Sequence, residues 1–183
     1  MLSNFTRLAP LIFFCMSLFA ATDDPVIIQV GHMQQTRSEF EQQFETAMVL
    51  NAINAGVPIK SGLQIRDLKE HYLEQRVAEM LLLQQAQMRG ISVSDTDMDN
   101  AVSDFMLSLA DQYSAAQRSE FSKDLQIRSY LREQLILRRT RQVLIEEGIR
   151  NKTKVISDTE FIVKLLKQYR QQSAVEILPE LLE

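Results

Sequence analysis

Hydrophobic and polar residues follow one another along most of this chain with the period of a helix. Phe40, Phe44, Ala47 and Met48 recur at i, i+4, i+7 and i+8, which predicts an amphipathic helix ending near Asn54. The longest helix is predicted over residues 64–89. Leu73, Val77, Met80, Leu81, Gln84 and Met88 share one side, and Leu82 and Leu83 widen it, as in a helix central to a core. Gly90 stands at the expected stop. Met98, Ala101, Val102, Phe105, Met106 and Leu109 form the stripe of a further helix. A short helix follows to about Asp124. Another long one covers residues 126–147, with Gly148 read as its terminator, and a last one carries Phe161, Leu165, Leu166 and Tyr169.

Only one segment breaks the pattern. Val26-Ile27-Ile28-Gln29-Val30 is a β-branched run after Pro25, and Gly31-His32 reads as the turn that follows a short strand. Helix starts are marked by capping boxes at Thr36-Arg37-Ser38-Glu39, Ser114-Ala115-Ala116-Gln117 and Ser157-Asp158-Thr159-Glu160, in which a hydroxyl and an acid or amide reciprocally satisfy orphan backbone N–H groups. Ser94 with Asp95 and Asp97 suits a fourth start, because carboxylates favour the positive end of a helix. Residues 55–62, with Gly56, Pro58 and Gly62, read as a loop. The expected fold class is therefore mostly α: a multi-helix domain with a short N-terminal β-strand or hairpin.

The first residues change the picture of where this domain acts. Arg7 precedes an apolar or small-residue run over 8–21, too short for the ~20 residues that span a bilayer as a helix. Residues 1–21 read as a signal peptide cleaved after Ala20 or Ala21, and an uncleaved N-terminal anchor is the alternative. The Ile12-Phe13-Phe14 sequence before Cys15 lacks the small residues of a lipidation site. Cys15 is the only cysteine of the 183 residues. A mature chain without it has no thiol for a disulfide, a nucleophile or a metal, which suits an oxidising compartment. Localisation in the periplasm is expected, with no stable membrane span after cleavage.

Composition and charge mainly exclude. The net charge of −4 argues against a nucleic-acid partner. His32 and His71 fall on different elements without partners at ligand spacing, so no metal is expected. Asp95, Asp97 and Asp99 superficially resemble a calcium loop but lack its turn glycine and closing glutamate. No phosphate loop or nucleophile elbow is present, so neither cofactor nor catalytic residue is expected. Arg128, Arg132, Arg138, Arg139 and Arg141 give the helix over 126–147 a basic side.

The order of several segments is more informative than any one of them. Leu73-Glu74-Gln75-Arg76-Val77 leads into Leu81-Leu82-Leu83-Gln84-Gln85-Ala86 and Gly90-Ile91-Ser92-Val93-Ser94-Asp95; Tyr130-Leu131-Arg132-Glu133-Gln134-Leu135 and Val155-Ile156-Ser157-Asp158-Thr159-Glu160 come later. This series resembles the N-terminal domain of the SurA, PrsA and PpiD family of exported chaperones. Departures are Arg76, where the family tends to be apolar, and Asp124-Leu125-Gln126 in place of a Gly-Leu-Ser break.

The resemblance implies a helical chaperone domain over 22–172 that binds unfolded or extended exported polypeptides, outer-membrane proteins among them, without ATP. It does not carry over prolyl isomerase activity, since the sequence shows no parvulin module beyond a strand-like remnant in the 173–183 tail. In this family a returning C-terminal segment completes the core. Here residues 174–178 are expected to pair with Val26–Val30, within the chain or by segment exchange in a homodimer. Adaptable Met and aromatic side chains suit varied clients, and Phe40, Phe44, Met48, Phe105 and Met106 are the candidate peptide-binding residues. The alternative reading is a periplasmic adaptor or assembly subunit with one dedicated partner.

Overall fold

A computed structural model describes residues 24–55, 63–111, 113–151, 153 and 156–178. The expected signal peptide, most of the expected loop over 55–62 and the end of the tail lie outside these residues. The chain forms β1 (Val26–Val30), β2 (Met33–Thr36), α1 (Arg37–Ala55), α2 (Leu63–Met88), α3 (Asp95–Ser108), α4 (Ala115–Phe121), α5 (Leu125–Arg150), α6 (Asp158–Gln172) and β3 (Val175–Ile177). The mostly α fold with its small N-terminal sheet is as expected.

Strand β2 has no β-branched run to announce it. It pairs with β1 across the two-residue turn Gly31-His32, where Gly31 takes φ +60°, a conformation open to glycine at little cost. On the other side β3 pairs antiparallel with β1, Ile28 facing Ile177 and Val30 facing Val175, giving the order β2-β1-β3. The C-terminal strand thus closes on the N-terminal one within a single chain. Ile27, Ile28 and Val30 are buried beneath the helices.

Helix ends follow the chemistry of their sequences. Glu39 accepts from the Thr36 N–H, and the hydroxyls of Ser94, Ser114 and Ser157 accept from backbone N–H groups three residues on while their partners reach back. Asp124 caps α5 through the N–H groups of Gln126 and Ile127. Beyond α2, Gly90 lies at φ +64°, with Ile91 N–H on Ala86 O and Gly90 N–H on Gln87 O, the paired bonds of a Schellman ending.

Gly148 departs from expectation. It lies inside α5, which continues to Arg150, and it is buried against α6. A Cβ at this position would stand 2.4 Å from Cζ of Phe161. Here glycine permits two helices to approach; it does not end one.

Three packed clusters hold these elements. The largest joins β1 to Phe40, Phe44 and Ala47 of α1 and to Tyr72, Leu73, Val77, Met80 and Leu81 of α2. A second joins Leu82, Leu137, Leu144 and Ile162 of α2, α5 and α6, and a third packs Val93, Met98 and Val102 against the middle of α5. Helix α5 packs on α1, α2, α3 and α6. Three of the five arginines of its basic side pair with α3: Arg128 with Asp99 at 3.3 Å, Arg132 with Asp95 at 3.6 Å and Arg139 with Asp97 at 2.9 Å. The acidic triplet that resembles a calcium loop is thus tied to arginines and a helix cap.

Candidate functional site

Helix α1 has two unlike faces. Phe40, Phe44 and Ala47 point into the core, whereas Gln42, Glu45, Thr46 and Val49 lie on the side turned toward the start of α5. On that side α1 and α5 do not close. Two adjoining clefts of about 260 and about 200 Å³ run between them and share Gln42, Thr46 and Gln126. Together they form one groove.

Its first half is apolar. Val49 and Leu50 of α1, Phe105 of α3, Leu109 just past α3, Phe121 of α4 and Ile127 of α5 line it, with Glu45 and Asp124 at the rim. Leu50 and Leu109 are buried, while Phe105, Phe121 and Ile127 are half-buried and Val49 is 45% exposed. Phe121 is held edge-on to Tyr113, ring centroids 5.3 Å apart, so the wall formed by short α4 is braced. Leu125, at the first turn of α5, is 81% exposed.

The second half carries more polar side chains. It is lined by Gln43, Leu125, Ser129, Tyr130 and Glu133 as well as the shared residues. Beneath it lies a buried network that joins four elements. The Arg76 guanidinium donates from Nη1 to Glu79 Oε2 at 2.6 Å and to Glu133 Oε1 at 2.5 Å, and from Nε to Gln35 Oε1 at 3.3 Å; Gln35 in turn donates to Gln43 at 2.7 Å. Arg76, Glu79 and Gln35 are almost fully buried.

Burial alone would favour a neutral Arg76, but the charges of Glu133 and Glu79 outweigh it and hold the guanidinium above its usual range. Burial pushes the nearby Tyr72 and Tyr130 phenols up. They stay protonated beside the carboxylates. One buried cation thus faces two carboxylates, and of the two acids Glu133 reaches the groove.

The five candidate peptide-binding residues are not brought together. Phe40 and Phe44 are inside, each with its ring 5.5 Å from Tyr72, and Met48 packs half-buried on the same cluster. Met106 packs on the α3–α5 cluster. Only Phe105 lines the groove. Its companions Val49, Phe121 and Ile127 lie on three different helices, so no single periodic pattern marked them together. Arg76 did stand out in the sequence, but only as a departure from the resembling family, which tends to be apolar there.

Other features offer less. A cleft between α2 and α6 is crossed by the Arg170–Glu74 ion pair at 2.8 Å. Among the described residues no cluster could hold a metal ion, and no helix is long and apolar enough to cross a membrane.

No curated protein matches the chain. A family model does, over residues 5–140, a stretch that contains β1 to α4, the first part of α5 and so every residue of the groove, with α6 and β3 lying beyond it. The chain belongs to the SurA-like N-terminal domain family, which relates it to chaperones.

Proposed function

We propose that this protein is an ATP-independent chaperone of the periplasm, exported by residues 1–21, that holds unfolded or extended polypeptides in the groove between α1 and α5. The observation that carries the reading is the open seam itself. Its apolar half is assembled from four helices and the turn after α3 yet lies to one side of the packed clusters, so a client side chain can enter without opening the core. Its polar half offers Gln42, Gln43, Gln126 and Ser129, side chains able to bond the backbone of an extended chain. A micromolar grip requires only about 8 kcal/mol, which a few such anchors can supply.

The test is suppression of aggregation of several unrelated unfolded proteins without ATP, comparing the native chain with Phe121→Ala. The native chain is expected to suppress all of them. Phe121→Ala is expected to lose at least half of that effect while its stability stays within about 1 kcal/mol, because the ring is half exposed. No suppression by the native chain, together with stable co-purification of a single partner, would instead identify an adaptor.

A further inference from the structure

The charges around the groove are all of one sign. Glu45 and Asp124 stand at the rim of the apolar half, and Glu133 opens into the polar half above an arginine shared by two carboxylates; no lysine or arginine lines either cleft among the described residues. Asp124 uses only Oδ1 to cap α5. The arginines of α5 that could have neutralised this end, Arg128 and Arg132, are drawn away to Asp99 and Asp95.

We propose that the groove selects extended polypeptide segments in which an apolar or aromatic residue lies about three residues from a lysine or arginine. The inference rests on the groove being the client site. The apolar side chain enters between Phe105, Phe121 and Ile127, and the cation reaches toward Glu133, with Glu45 and Asp124 adding attraction along the rim. The spacing follows from α1. Gln43 to Leu50 is seven residues, or ~10 Å of helix, which an extended chain covers in about three residues at ~3.3 Å each. Acidic segments are repelled by the same three carboxylates.

The experiment uses three labelled peptides of equal length and apolar content, carrying lysines, serines or glutamates at the flanking positions. Their binding to the full chain is measured by fluorescence anisotropy at low salt and at ~0.15 M salt. The lysine peptide is expected to bind roughly fivefold tighter than the glutamate peptide at low salt, with a smaller ratio at the higher salt. In Glu45→Gln/Asp124→Asn, which keeps Glu133, the ratio should fall by about half while the serine peptide is unaffected, and an unchanged ratio would overturn the part given to the rim. Asparagine keeps the helix cap, and the Arg76–Glu133 pair is left intact, so folding is preserved.

Equal binding of all three peptides, lost together in Phe121→Ala, would overturn the charge selection and leave the groove as the client site. Binding that ignores Phe121→Ala would overturn both. So would self-association that depends on Val49 with no peptide binding, since a second copy would then cover the groove.

Discussion

Helix α5 meets α2 and α1 in opposite ways. Against α2 it is sealed: Leu137 and Leu144 pack on Leu82, and Glu133 reaches across to a buried arginine. Against α1 it is parted, and glutamines, a threonine and a valine face a gap. The difference shows what a holding surface needs within one small fold. The sealed seam fixes the helices, so the open one can remain unfilled without collapse. Buried polar residues mark the border between the two, since Gln43 belongs to the groove wall and, through Gln35, to the network around Arg76.

The largest effect is expected from breaking the sealed seam at that border. Arg76→Ala leaves Glu79 buried without its cation and should cost about 3–5 kcal/mol in urea unfolding. The pair is not itself a large source of stability, because both charges leave water to form it. Arg76→Met/Glu79→Met is therefore expected to regain at least half of the loss. If the single variant unfolds at the native urea midpoint, the network does not hold the seam.

A steric change near the far end of α5 should matter less. Gly148→Ala gains ~1 kcal/mol of helix propensity but drives a Cβ into the Phe161 ring, 2.4 Å from Cζ. A net loss of about 1–3 kcal/mol is expected, as for other overpacked contacts. Gly148→Ala/Phe161→Leu should be more stable than Gly148→Ala alone. Equal stabilities would mean that α6 shifts freely and that the seam is less rigid than its packing implies.

Much of this organisation can be read from the sequence, because it is local. The capping hydroxyls of Thr36, Ser114 and Ser157, the stop at Gly90 and the strand Val26–Val30 each depend on neighbours within a few residues. The pairing of residues 174–178 with β1 is not local; it was expected only because the resemblance implies a closing C-terminal segment. What stayed hidden depends on distant partners. Strand β2 is a strand because β1 offers it hydrogen bonds, and its Gln35 is buried because Arg76 waits for it. Gly148 has the composition of a stop and the function of a contact. Phe40 and Phe44 have the spacing of a stripe whether that stripe meets a core or a client. The groove is least legible of all, since Val49, Phe105, Phe121 and Ile127 come from separate helices and converge only in the fold.

The sharpest comparison between filled and unfilled seams uses one substitution at two adjacent residues. Ala47 is 3% exposed and points into the core, while Thr46 is half-buried, lines both clefts and spends its hydroxyl on Gln42 O of its own helix at 2.8 Å. Ala47→Leu must displace Phe44 or Tyr72 neighbours and should cost about 1–3 kcal/mol. Thr46→Leu replaces a poor helix former with a good one and grows into empty space, so its stability should change by no more than ~0.5 kcal/mol, with a gain more natural than a loss. Its effect should fall on binding. A leucine at the junction of the two clefts divides the groove, and affinity for an extended apolar peptide should drop at least roughly tenfold, the measure of one lost anchor. Opposite results at positions 46 and 47, one changing stability and the other binding, would locate the boundary between scaffold and surface within a single turn of α1. Parallel results would erase it, because then the face turned to α5 would be core in all but appearance.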